Sequence, residues 1–154
     1  MALSFGWQDG TLQDVLKLVV AYTLALPIGW YREREAHSIG VRTFPLVAMA
    51  SCGYILLSIA PGHFDAAAES RVLQGLVAGI GFIGGGAILK AEGNVHGTAT
   101  AASIWNTGVV GAAVAVDRYW LAVVLAALNL FALRVLLPLK LKLDARGEGK
   151  EQFK

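Results

Sequence analysis

The segment GIGFIG, from Gly79 to Gly84, matches the glycine pattern of loops that hold the phosphates of a dinucleotide. That chemistry requires the glycines to follow a strand and open a helix, with an acidic residue about 20 positions later for the ribose. Residues 72–89 carry no charge, and no acidic residue lies around 103–106. We therefore expect no nucleotide cofactor here. The chain also has no basic stripe with interleaved aromatic residues, so we expect no nucleic-acid partner.

Charged residues cluster in the short stretch 32–42, between two apolar segments. One interpretation is that the Glu33 carboxylate forms hydrogen-bonded ion pairing with the arginines around it, Arg32 and Arg42, and so ties two helix ends together. The other is that the arginines only keep this loop in the cytoplasm. Both interpretations stay open for these three residues.

Polar side chains are rare within the apolar segments. Asn106 lies near the middle of one segment, where an amide without a partner is costly, so it should face protein or water. It could therefore bond a neighbouring helix or line a path for a solute. Asp65 and Glu69 could attract Mg²⁺ only weakly. No Cys/His cluster and no Ser/His/Asp set at membrane depth is present, so we predict no metal site, no cofactor and no enzymatic activity.

The elements that position these residues are predicted to be membrane helices. The 154-residue chain is 56% hydrophobic and 16% charged, whereas soluble domains carry about 25% charged residues. Apolar runs of about 18 residues are typical of membrane-spanning helices. The predicted fold is all-α, a compact bundle of five spans at residues 15–30, 44–60, 72–89, 99–116 and 119–137. We expect a single transmembrane domain over residues 1–143 and a hydrophilic cytoplasmic tail over residues 144–154.

The distribution of lysine and arginine predicts the orientation of the chain in the lipid bilayer. Most of these residues fall in the 31–43 loop, at Lys90 and in the C-terminal tail, which five spans place on the same side. Because basic loops are retained in the cytoplasm, the N-terminus is expected outside and the C-terminus inside.

Glycines recur with helical spacing along the third predicted helix. At about 100° per residue they form two strips, one of Gly75, Gly79 and Gly86 and the other of Gly81 and Gly85. Such spacing lets helix backbones approach closely in lipid. We therefore predict that this helix lies at the centre of the bundle, with its glycines as packing seams. A break of the helix at residues 84–86, as in transporter sites, is the alternative.

The fourth predicted helix offers a partner for these seams. Thr100, Ser103, Thr107 and Gly111 recur every three or four residues and form a stripe of small and hydroxyl side chains. The strips exceed what packing within so small a bundle requires, so we also predict a homodimer.

Two blocks of the sequence resemble the MgtC/SapB family of bacterial inner-membrane proteins, over about residues 15–137. The first block is IGWYRE with GVRT, and the second is GIGFIGGGAI with VHGTATAASIW. The first match comprises Gly29, Arg32, Glu33, Gly40, Arg42 and Thr43. The second comprises Gly79, Gly81, Phe82, Gly84, Gly86, Gly97, Thr100, Ala101, Ala102, Ser103 and Trp105. The chain departs from the family pattern at Tyr31, where an acid is usual, and at His96 and Asn106.

The resemblance implies a protein of adaptation to magnesium limitation, acid stress or life in a host, and hence of virulence. It implies action by helix contact on other membrane proteins, the F-type ATP synthase among them. The soluble C-terminal domain of the MgtC branch is not expected here. The rival interpretation, from the residues themselves, is a transporter or channel for an ion or small solute that uses Asn106.

Overall fold

A computed structural model describes residues 9–36, 40–60, 65–91 and 94–136. Five α-helices form a bundle, with a two-stranded hairpin between the third and the fourth. Their bounds are α1 Asp9–Ala36, α2 Thr43–Ser58, α3 Ala66–Gly86, β1 Leu89–Ala91, β2 Asn94–His96, α4 Thr98–Ala115 and α5 Tyr119–Phe131. A π-helical turn, Ala132–Leu136, continues α5. The predicted tail, residues 144–154, lies outside the described residues.

Each of the five predicted apolar segments corresponds to one helix. Two helical stretches are long and apolar enough to cross a membrane, Gly10–Glu35 and Tyr119–Leu136. With 16 residues, α2 extends about 24 Å, less than the ~30 Å of a typical hydrocarbon core. The helical bundle is therefore confirmed, whereas five membrane spans remain a prediction.

The helix ends follow from local sequence chemistry. The Asp65 carboxylate accepts a hydrogen bond from the Ala68 N–H at 2.7 Å and caps the start of α3. α3 then continues through Gly84 and Gly85 and ends at Gly86, where the backbone turns toward β1. The three adjacent glycines therefore terminate α3 and do not break it at mid-length.

The small hairpin was not predicted from the sequence, which placed a loop between the third and fourth helices. β1 and β2 pair antiparallel, with Leu89 opposite His96. Gly97 follows β2 with φ +87°, and a Cβ atom there would overlap the Ala87 carbonyl oxygen. Only glycine fits this turn. The turn places the start of α4 directly beside the end of α3.

The central helix of the bundle is α4, which packs against all four other helices. Ten of its residues are buried, including the whole predicted stripe of Thr100, Ser103, Thr107 and Gly111. By contrast, α3 buries only Ile80 and Gly84 and packs against α2 and α4. The prediction that the glycine-rich helix lies at the centre is therefore wrong. Glycines permit close packing, but they carry no hydroxyl or amide side chain that needs a partner inside the bundle.

Candidate functional site

The first candidate region lies where the C-terminal part of α1 meets the first turn of α4. Arg32 is only 6% exposed, and its Nη2 donates a hydrogen bond to the Thr100 hydroxyl oxygen. Among the described residues, the buried Nε of Arg32 has no hydrogen-bond partner. A guanidinium stays protonated in proteins, so this region buries a positive charge whose bonded partner, within the described residues, is a neutral hydroxyl.

Glu33, the next residue, joins α1 to the start of α2. Its Oε2 accepts a hydrogen bond from the Val41 N–H at 3.0 Å, and its side chain lies against Gly40. In the parts of the chain that the structure describes, Glu33 and the exposed Arg42 form no ion pair. The carboxylate thus ties two helix ends together as expected, but it does so through the backbone.

Close backbone contact supports this junction. A Cβ atom on Gly29 would lie 3.0 Å from the Gly40 carbonyl oxygen. That carbonyl in turn accepts the Thr43 N–H at 3.1 Å and begins α2. Gly29, Gly40 and Thr43 of the first sequence block therefore build the junction that holds Arg32 and Glu33.

A second polar cluster joins α4 to α5. The Ser103 hydroxyl donates to Asn129 Oδ1 at 2.8 Å, and Asn129 Nδ2 donates to the Ser103 carbonyl at 3.3 Å. Asn106 Nδ2 donates to the Leu125 carbonyl at 3.3 Å. These bonds favour interhelical packing over a solute pathway as the role of Asn106. Asn129 was missed in the sequence, although an amide within an apolar segment is the same signal that singled out Asn106.

The stripe residues Thr100, Ser103 and Gly111 of α4 contact α1, α5 and α2, whereas Gly108, outside the stripe, packs on Ile80 of α3. A Cβ atom on Gly111 would overlap the Ala48 carbonyl oxygen of α2, so the two backbones touch there. On α3, the glycine that meets α4 is Gly84, which belongs to neither predicted strip, with the Ala101 carbonyl 3.2 Å from a Cβ built on it. The predicted pairing of the glycine strips with the α4 stripe is therefore wrong.

The remaining glycines of α3 form an open face, which we call the glycine face. Its members share one property, that a Cβ atom built on them would have no heavy atom within 4 Å: Gly75, Gly79, Gly81, Gly85 and Gly86. Phe82 on the same helix is 85% exposed. Between α2 and α3 lies an apolar groove of about 560 Å³, lined in part by Tyr54, Gly75 and Gly79. Trp105, on α4, is half-exposed.

The described residues contain no group of three or more His, Cys, Asp or Glu that could hold a metal ion. Asp65, one of the two residues considered for weak Mg²⁺ attraction, caps α3 instead. What these regions offer chemically is therefore a buried cation, interhelical hydrogen bonds and an open helix face.

Residues 18–141 match the sequence profile of the MgtC family, a range that contains both the Arg32 junction and the glycine face. The chain belongs to the MgtC family. This membership confirms the resemblance drawn from the two sequence blocks.

Curated relatives of this MgtC-family chain come from several bacteria. Protein SrpB of Synechococcus elongatus is 38% identical over 120 residues, 70% of this chain and 66% of SrpB. The Escherichia coli K12 protein named "Putative magnesium transporter YhiD" is 30% identical over 132 residues, 81% of this chain and 61% of YhiD. Protein MgtC of Salmonella typhimurium LT2 is 34% identical over 97 residues, 63% of this chain and 41% of MgtC.

The chain thus spans between two fifths and two thirds of the length of these relatives. No solved structure matches it.

Proposed function

We propose that this MgtC-family protein acts by contact between the glycine face of α3 and a helix of another membrane protein. The observation that carries the proposal is the openness of that face. Five glycines with helical spacing have no heavy atom within 4 Å of their Cβ positions, so the bundle itself does not use them.

The physical reason concerns packing in lipid. Lipid tails are as apolar as leucine, so helices associate there through close van der Waals contact, and small residues let the backbones approach. In an exposed helix, each glycine costs about 1 kcal/mol relative to alanine. A face that carries this cost without packing inside the bundle is suited to receive a partner helix.

The proposed setting is the bacterial inner membrane, with the N-terminus outside and the C-terminus in the cytoplasm. Two helical stretches suited to span a membrane support this placement, and the three shorter or less apolar helices complete the proposed five spans. The family resemblance supports a role in adaptation to low magnesium, acid stress or a host. The F-type ATP synthase is one partner to test.

A second copy of the chain could use the same face, which would give the homodimer expected from the sequence. The groove between α2 and α3 borders the glycine face and offers apolar surface to such a partner. A homodimer and a different membrane protein would compete for one surface, so self-association could regulate partner binding.

The proposal is tested by growth of a bacterial strain that lacks its MgtC-family protein, complemented with this chain in low-magnesium medium. A Cβ atom at Gly79 meets open space, so we expect Gly79→Leu to show normal expression and stability but to lose complementation. The matched control is Ala127→Leu, which creates the same side chain at an exposed position of α5. Complementation by Gly79→Leu at the wild-type level would reject the proposal.

A further inference from the structure

Arg32 carries a buried positive charge. Its side chain is more than nine-tenths buried, its Nη2 is bonded to the Thr100 hydroxyl, and its Nε has no partner among the described residues. Burial of a charge is costly unless an opposite charge and hydrogen bonds compensate for it. Among the described residues, Arg32 therefore has no counter-ion.

Thr100 belongs to the first turn of α4, and this places the guanidinium at a helix N-terminus. The first N–H groups of a helix have no acceptor within it, and that end carries a partial positive charge. The N-cap residue is Gly97, which has no side chain to accept from these N–H groups. The positively charged Arg32 guanidinium and the partly positive N-terminus of α4 thus lie side by side. This arrangement is unfavourable for both groups.

The nearby carboxylates are bound elsewhere. Glu33 accepts the Val41 N–H, and Glu35 accepts the Tyr31 hydroxyl at 3.3 Å. A further cation lies against Tyr31, the residue before Arg32, because the Arg134 guanidinium is 5.7 Å from the centre of the Tyr31 ring. In the described part of the chain, no acidic side chain forms an ion pair with Arg32.

We propose that Arg32 and the first turn of α4 bind a phosphate group. Backbone N–H groups at a helix N-terminus bind phosphate oxygens, and a guanidinium donates two parallel hydrogen bonds to them. The Thr100 hydroxyl accepts from Arg32 and keeps its own proton to donate. Thr98, at the start of α4, is exposed, whereas Thr100 and Arg32 are buried, so the phosphate would enter beside Thr98.

The phosphate could come from free inorganic phosphate or from a phospholipid headgroup. With the predicted orientation, the site lies at the cytoplasmic edge of the membrane, where both sources are present. The chemistry that Arg32 recognises is the same in each case, so the experiment must separate them.

The test follows the Nε–Hε resonance of Arg32 by NMR in the full chain labelled with ¹⁵N-arginine. The protein is placed in nanodiscs of phosphate-free galactolipid, and inorganic phosphate is then added, with chloride at equal ionic strength as the control. A saturable shift with phosphate but not with chloride supports a site for the free ion. A shifted resonance in phosphatidylglycerol nanodiscs, unresponsive to added phosphate, supports a site for the headgroup. No response to either source overturns the proposal.

Two variants test whether binding is specific to the Arg32 site, and both keep the buried arginine. Thr100→Val removes the hydroxyl and should weaken the phosphate midpoint, or the retention of phosphatidylglycerol, at least about tenfold, a loss of about 1.4 kcal/mol. Arg42→Gln removes an exposed positive charge from the same end of the bundle and should leave binding unchanged. Equal weakening by both variants would indicate a general charge effect and would contradict the assignment to Arg32.

Discussion

α3 and α4 are both rich in small residues, yet they hold opposite positions in the bundle. α4 is central and its small residues contact its neighbours, whereas most glycines of α3 face outward. The difference lies in the polar groups that accompany the small residues. α4 carries hydroxyls, such as Thr100 and Ser103, that need partners away from lipid. The α3 glycines have no side chain that needs a partner, and Gln74, which lies on the strip of Gly81 and Gly85, is exposed.

The same sequence pattern therefore has two structural roles in this protein. Small residues at helical spacing indicate that a backbone can be approached closely. Whether the neighbour belongs to the same chain depends on the side chains around them. In this protein the polar stripe packs within the bundle, whereas the bare strips of α3 are open and form the proposed contact surface for a partner.

The largest expected effect comes from matched alanine substitutions on the two helices. Gly111→Ala forces a Cβ atom into the Ala48 carbonyl and should destabilise the bundle by about 3 kcal/mol, the upper end of the range for overpacking. Gly79→Ala meets open space and should leave stability unchanged or raise it by up to about 1 kcal/mol. Denaturant titration in mixed micelles measures both. Equal losses would remove the distinction between buried and open strips.

A slightly smaller loss is expected at the Arg32 junction. Thr100→Val deprives the buried guanidinium of its bonded hydroxyl, and hydrogen bonds to charged groups contribute about 1.5–3 kcal/mol. The same denaturant titration, made without phosphate, measures the loss. Thr100→Ser keeps the hydroxyl and should recover most of the stability. A Thr100→Val protein as stable as wild type would mean that Arg32 does not depend on this bond.

Next in size is the polar contact between α4 and α5. A double-mutant cycle of Ser103→Ala with Asn129→Ala should give a coupling energy of about 0.6–1.7 kcal/mol, the range for hydrogen bonds within membranes. Asn106→Leu removes a single 3.3 Å bond to a carbonyl. It should therefore lower the free energy of unfolding by a smaller amount. Additive losses from Ser103 and Asn129 would show that their contact carries no coupling.

The smallest effect is expected at the opposite end of the bundle, where Lys17 Nζ donates to Asp117 Oδ2 and to the Ala115 carbonyl, both at 2.9 Å. The hydrogen bond from Lys17 lowers the pKa of the Asp117 carboxyl below its ordinary value of 3.8. Since the folded-state pKa is the lower one, this stabilisation is present above pH 3.8 and is lost as the pH falls through the folded-state value.

Asp117→Asn should therefore melt slightly below wild type at neutral pH, and the gap should close at a pH below the folded-state pKa. Thermal melts of both proteins across this range measure it. A gap that widens on acidification would reverse the assigned direction of the shift.

Much of the fold could be predicted from the sequence, because long apolar runs separated by charged or glycine-rich turns specify helices directly. Arg32, Glu33 and Thr100 were also found, since charge and hydroxyl groups at the edge of an apolar segment need partners. Their actual pairing was not, because Arg32 and Thr100 lie 68 residues apart and periodicity describes only a residue's own helix. The outward position of α3 could not be predicted either, because periodicity does not show which neighbour a helix face contacts.

The central claim, that the glycine face of α3 receives a helix of another membrane protein, is tested most directly by photo-cross-linking in native membranes. A photoreactive phenylalanine analogue replaces the exposed Phe82 on α3, or the exposed Phe131 on α5 as the matched control. We expect a discrete protein adduct from position 82 alone, and its loss when Gly79→Leu is added; an adduct at twice the mass of the chain would identify a second copy. Lipid adducts only at position 82, or the same adducts from both positions, would contradict the account.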